Sequence, residues 1–139
     1  MSDNCVFCKI VRGELPSTKL YEDDQVLAFM DIGPIVKGHV LVIPKQHVDP
    51  LTATPPDLLA KVMTVVQKVV KAQMNGLKAD GVNVHQSNGA VAGQVVPHVH
   101  FHVIPRFATD GHTWNWATKK YENVEEMQKL AEAMKSSMS

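Results

Sequence analysis

Apolar positions fall into short alternating or continuous runs broken by Gly and Pro, with one long helical stripe between them. Val6 to Arg12, closed by Gly13, reads as one or two helical turns. Cys5 and Cys8, three apart, then sit on one face of that turn. Tyr21-Glu22-Asp23-Asp24 reads as a strand entering a tight turn, and Val26 to Asp31 as a second strand ended by Gly33-Pro34. His39 to Pro44 is apolar and β-branched, the pattern of a central strand. Thr54-Pro55-Pro56-Asp57 predicts a helix start, with Thr54 as N-cap, Pro at N1 and Asp57 near the positive helix end. Leu58, Leu59, Val62, Met63, Val66, Val69 and Val70 then recur at helical spacing as far as Gly76, a core stripe. Val82 to His85 reads as a strand, Asn88 to Gly93 as a Gly-rich loop and His98 to Ile104 as a strictly alternating strand. A loop with Trp114 and Trp116 follows, then a helix over Glu125 to Lys135 with acidic residues early and Lys135 late. The order predicts an α+β fold: an antiparallel sheet of about five strands, one long helix, a short N-terminal helix and a C-terminal helix.

With 139 residues, 45% hydrophobic and 20% charged, the chain has the size and composition of one globular domain, not of a disordered segment. Fourteen basic residues balance fourteen acidic ones, which removes the electrostatic footprint of a general nucleic-acid binder. No apolar run approaches the ~20 residues that span a bilayer, and Met1-Ser2-Asp3-Asn4 is polar and acidic, unlike a secretory signal. The expectation is a cytoplasmic protein with no membrane and no nucleic-acid partner.

Chemistry enters with Cys and His. The two cysteines, Cys5 and Cys8, form a C-x-x-C pair, and in a cytosolic chain that spacing reads as metal-binding or redox-active. Of seven histidines, His98, His100 and His102 alternate within five residues. In a strand they point one way, roughly 6.5–7 Å apart, while Val99, Phe101 and Val103 face the core. Three imidazoles on one line suit anion binding, metal binding or nucleophilic and acid–base work. Gly89 and Gly93 let backbone N–H groups approach a phosphate, and Gln94 supplies an amide donor. Together these features suggest attack by a neutral imidazole on phosphorus, through a phospho-histidine.

The run His98-Val99-His100-Phe101-His102-Val103-Ile104 resembles the motif of the histidine triad family. So do Gly93-Gln94-Val95-Val96-Pro97, Phe7-Cys8-Lys9-Ile10, Ala28-Phe29-Met30-Asp31-Ile32 and Gly38-His39-Val40-Leu41-Val42-Ile43-Pro44-Lys45. The resemblance implies a single domain over 1–139, with a core at 4–106 and a C-terminal extension at 107–139. It implies a hydrolase that releases a nucleoside monophosphate such as AMP from nucleoside phosphoramidates or dinucleoside polyphosphates. By the same resemblance His100 is the nucleophile, His102 assists proton transfer and His39 orients the triad. Asp31 is the ribose-hydroxyl acceptor; Phe7, Ile10, Ile32 and Leu41 wall the base. Ser87 or Asn88, Gly93, Gln94 and Val95 lie at the phosphate. Val95 and Ser87 depart from the family pattern, which has Ser or Thr at the first position and usually Asn at the second.

Some bacterial members bind zinc through two Cys, a His after the central strand and the first triad His. Cys5, Cys8, His47 and His98 match that set, and four ligands with no open position would make the zinc structural. The resemblance also implies a homodimer, formed through the long helix and a paired sheet. Two rivals stand beside this reading: a purine-nucleotide-binding adaptor with vestigial hydrolysis, favoured by Val95 and Ser87, and a catalytic metal held by all three triad histidines.

Overall fold

The computed structural model describes residues 3–113 and 116–138; Trp114 of the tryptophan loop and Met1-Ser2 of the N-terminal segment lie outside them. Helix α1 is Val6–Val11, and strands β1 (Lys19–Glu22), β2 (Val26–Met30) and β3 (Val40–Pro44) follow. Helix α2 (Pro56–Gly76) leads to β4 (Gly81–His85), β5 (Phe101–Arg106) and helix α3 (Val124–Lys135). The strands form one antiparallel sheet in the order β1-β2-β3-β5-β4. The α+β architecture expected from the pattern is the one observed.

Alternation along the strands separates two cores. Val26 and Ala28, Val40 and Val42, and Phe101 and Val103 pack under Val62, Val65, Val66 and Val69 of α2. The intervening Leu27, Phe29, Leu41 and Ile43 pack under Phe7, Cys8 and Ile10 of α1. All of β3 is buried, which is why its sequence is a continuous apolar run. Because His100 and His102 alternate with Phe101 and Val103, the triad shares the α1 face with Leu41.

Three expectations are corrected. Strand β5 begins at Phe101, not His98: β3 pairs with β5 only over Val40–Val42, and Val99 N–H donates instead to Val48 O. The central strand begins at Val40, one residue after His39. Thr54 is not a helix cap. It closes a 3-10 turn over Leu51–Ala53, its hydroxyl donates to Pro50 O, and α2 starts at Pro56 after an extended Pro55. Pre-set proline φ values open the helix without a side-chain acceptor. The far end of α2 is tied down by Gln73, whose amide donates to Gly38 O and Val103 O. Gly38 has φ +102° and lies so close to Leu77 and Pro105 that a Cβ would stand 2.8 Å from Leu77 Cδ1. The positive φ, together with that close approach, favours Gly just ahead of His39.

Candidate active site and metal-ligand cluster

The main chain sorts His98 and His100 by occupying a different ring nitrogen on each. Carbonyls only accept, so a ring nitrogen at hydrogen-bond distance from one carries the proton. His100 Nδ1–H donates to His98 O at 2.6 Å, leaving the Nε2 lone pair bare. His98 does the reverse: Nε2–H donates to Pro44 O at 2.8 Å, and Nδ1 carries the lone pair. The rings of His100 and His102 are 5.0 Å apart, closer than the spacing of an ideal flat strand.

His102 is set by its neighbour on β3's approach. Ile35 N–H donates to His39 Nδ1, so His39 holds its proton on Nε2 and donates it to His102 Nδ1 at 3.0 Å. His102 therefore keeps its own proton on Nε2, as a neutral donor. Asp31 Oδ2 stands 3.6 Å from His39 Nε2, while Oδ1 accepts from Gly33 N–H. Burial pushes the His102 imidazole down to about 4, with His100, His85 and His39 adding to the effect. Burial also lowers His39, against a smaller upward pull from Asp31. Asp31, His39 and His102 are close enough to share a cation, yet His39 Nε2 has no lone pair to give while Nδ1 accepts from Ile35. This argues against a cation held jointly by Asp31, His39 and His102.

Cross-strand register places Phe29, Leu41, His102 and His85 in one row across four strands. The row runs from an apolar end to a polar one. At the apolar end is a cavity of about 330 Å³ lined by Phe7, Ile10, Phe29, Asp31, Ile32 and Leu41, among others. Phe7 connects the ends, meeting Phe29 edge-on at 5.6 Å and His100 at 5.0 Å. The loop before the triad is braced. Gln94 Oε1 accepts from Gly89 N–H, and its Nε2 donates to Asp49 Oδ1 and Val96 O. Asn88 accepts from Leu51 N–H and exchanges bonds with Gln86. Both amides are spent on loop shape in this state, and Gly93, with φ +98°, turns the chain.

Cys5, Cys8, His47 and His98 converge beneath α1. His98 Nδ1 lies 3.4 Å from Cys5 Sγ and 3.6 Å from Cys8 Sγ, and His47 Nδ1 lies 3.3 Å from Cys8 Sγ. A tetrahedral zinc with its usual Zn–S and Zn–N lengths has S···N edges of about 3.6 Å. Three S···N edges already stand near that spacing with all four donors within 4.8 Å of one another, and the Pro44 carbonyl fixes the His98 tautomer a metal needs. Cys5 also caps α1, accepting from Cys8 N–H.

Comparison with known proteins bears on this arrangement. The HIT domain matches residues 12–109. The chain belongs to the HIT family. An uncharacterized HIT-like protein of Methanocaldococcus jannaschii is 45% identical over 90% of this chain and 96% of its own. An adenosine 5'-monophosphoramidase of Candida albicans is 47% identical over 74% of this chain and 70% of its own. Crystal structures of HIT family proteins from Bacillus anthracis and Bacillus subtilis superpose with a TM-score of 0.92 each. They are 39% and 38% identical and cover 100% and 99% of both chains in each comparison. A Zn-bound histidine triad family protein of Mycobacterium smegmatis is 38% identical, with a TM-score of 0.75 over 97% of this chain and 98% of its own.

Against the family frame, the fold brings Phe7, Ile10, Asp31 and Leu41 around one cavity, and His39, His100 and His102 beside it. Ile32 stands fully exposed at the cavity rim, and Val95 projects outward beside Val96 and Pro97. Ser87 stays half-buried in the loop. His85, like His112, has no role assigned by the sequence. It stacks on His102 at 4.7 Å with ring planes 12° apart. The alternating β4 pattern put His85 on a face, but only the β4–β5 register tells which histidine lies opposite.

Proposed function

We propose that this HIT-family protein hydrolyses nucleoside phosphoramidates or dinucleoside polyphosphates to a nucleoside monophosphate through a nucleotidyl-His100 intermediate. One observation carries the reading: His100 Nδ1–H is held by a carbonyl, which leaves Nε2 as a bare nucleophile beside a neutral His102 donor. The base, a purine as in AMP, occupies the cavity walled by Phe7, Ile10, Ile32 and Leu41, and Asp31 accepts from the ribose hydroxyls. His100 Nε2 attacks the α-phosphorus in line as the bond to the leaving amine or phosphate breaks. Water then displaces His100, forming the new P–O bond. The proton gained by the leaving group and the proton lost by water both pass along the His102 edge, so His102 ends as it began. Backbone N–H groups near Gly93 stabilise the phosphoryl oxygens. The named activity of the Candida relative supports this reaction class.

Zinc at Cys5, Cys8, His47 and His98 is a structural ion in this reading, with every position filled by protein. It would pin α1, and with it Phe7, onto the triad segment. The protein acts as a homodimer on a small-molecule substrate in the cytoplasm, with no role for nucleic acid or membrane; among the described residues no helix is long and apolar enough to cross a membrane. A nucleotide-binding adaptor is the second reading, because Val95 has no hydroxyl to offer the leaving group. The deciding experiment incubates the protein with adenosine phosphoramidate and with diadenosine polyphosphates, identifies which yields AMP, and quenches early for mass spectrometry. An adenylyl adduct on His100 is expected; turnover without any adduct there would overturn the mechanism, and AMP binding without turnover would favour the adaptor.

A further inference from the structure

His85 closes the row of side chains that crosses the sheet. It ends β4, an edge strand, and the antiparallel register sets it opposite His102 on β5. The two rings stack with centroids 4.7 Å apart and planes 12° apart, the range of an offset-stacked pair. Three ring contacts surround His102, and they differ in kind. His39 meets it tilted by 51° and His100 by 65°, so each of those touches it with an edge. Only His85 lies flat against it. Burial lowers His85 below the ordinary histidine value, with His100 adding to the effect, so an uncharged ring covers that face near neutral pH. His85 also lines a cavity of about 210 Å³ with Ile104, Arg106 and Trp116, among others. Removing its ring would open the covered face of His102 to that cavity.

The flat contact supplies what the hydrogen bond to His39 does not. That bond, at 3.0 Å, selects the His102 tautomer. It holds one point on the ring edge. The χ2 torsion of histidine is broad, and a hydrogen bond bends through about 30° before it weakens. The ring plane, and with it the direction of Nε2–H, is therefore loose unless something lies against a face. Proton donation to a leaving group depends on that direction, because small misplacements of a reacting group are costly in rate.

We propose that His85 is a positioning residue, whose stacked ring holds the plane of His102 so that Nε2–H is aligned with the leaving atom. The inference rests on the proposed reaction, in which His102 is the proton donor. Wild type, H85A and H85F are compared on adenosine phosphoramidate for kcat and KM, and on AMP for affinity by calorimetry. Ring-nitrogen spectra of protein labelled with ¹⁵N-histidine are recorded on all three. H85A should lower kcat about tenfold, with KM and AMP affinity within about twofold. H85F, which keeps a flat ring, should return kcat to within about threefold of wild type. His102 should show one sharp Nε2–H tautomer in wild type and H85F, and a broadened or averaged signal in H85A. The role of His85 is overturned by an H85A variant with wild-type kcat, by an effect confined to KM, by an H85F as slow as H85A, or by a His102 signal that H85A leaves unchanged. The spectra need no turnover, so the two readings fail separately. A wild type that turns nothing over, with a His102 signal that H85A still broadens, would sink the proposed reaction and uphold the positioning contact.

Discussion

His98 and His100 are two residues apart, both buried, and opposite in use. His98 gives its Nε2 proton to Pro44 O and turns Nδ1 toward two thiols. His100 gives its Nδ1 proton to His98 O and keeps Nε2 bare. The side chains are identical, so in the proposed reading what separates a metal ligand from a nucleophile is which nitrogen a carbonyl occupies. An imidazole has two nitrogens and, when neutral, one proton, and a single acceptor decides where it sits.

The sharpest break of this comparison is His100→Ala. Turnover of a nucleoside phosphoramidate should fall about ten-thousandfold or more, since the attacking atom is gone. AMP affinity by calorimetry should stay within a few-fold; a variant retaining even a tenth of wild-type turnover would remove His100 from the chemistry. His39→Phe comes next. It keeps a ring but removes the donor that fixes the His102 tautomer, so kcat should drop roughly a hundredfold with KM little changed. An unaltered kcat would mean that the His39–His102 bond is only packing.

At the His98 end the loss should appear in stability instead. Cys8→Ser, or prolonged chelation, should lower the melting temperature by roughly 10 °C, because metal binding free energy is folding free energy. Activity should decline in step with unfolding. Immediate inhibition of fully folded protein, reversed at once by zinc, would instead place the metal in the reaction.

The smallest effect is a pH dependence shared by both ends. Burial holds His98 and His102 down to about 4, below the ordinary 6.5. The unfolded chain therefore takes up protons first. Stability is complete above about 6.5 and drains away as pH falls toward 4. Melting temperatures measured across that window should fall, and saturating zinc should not flatten the fall, because a metal on Nδ1 keeps the folded state unprotonated at His98 while the unfolded chain still takes up its proton. A flat profile without zinc would contradict the burial argument.

How much of this was legible in the sequence varies by residue. The valine stripe of α2, the buried run of β3 and the alternation through His98, His100 and His102 could be read directly, because side-chain period follows backbone period. C-x-x-C and the HIT resemblance named the candidate residues. Thr54 misled because a hydroxyl ahead of two prolines looks like a cap, while the chain spends it on a 3-10 turn. Gln94 is present as expected, but its donors already hold Asp49 and Val96.

Residue types and local periodicity settled the elements, the two faces of the sheet and the presence of histidine chemistry, since each depends on contacts a few positions apart. Tertiary structure alone decided the tautomers, the stacking of His85 on His102 and the meeting of His47 with a cysteine pair 39 residues earlier. Those depend on which carbonyl or strand arrives from far along the chain, and local spacing carries no record of that.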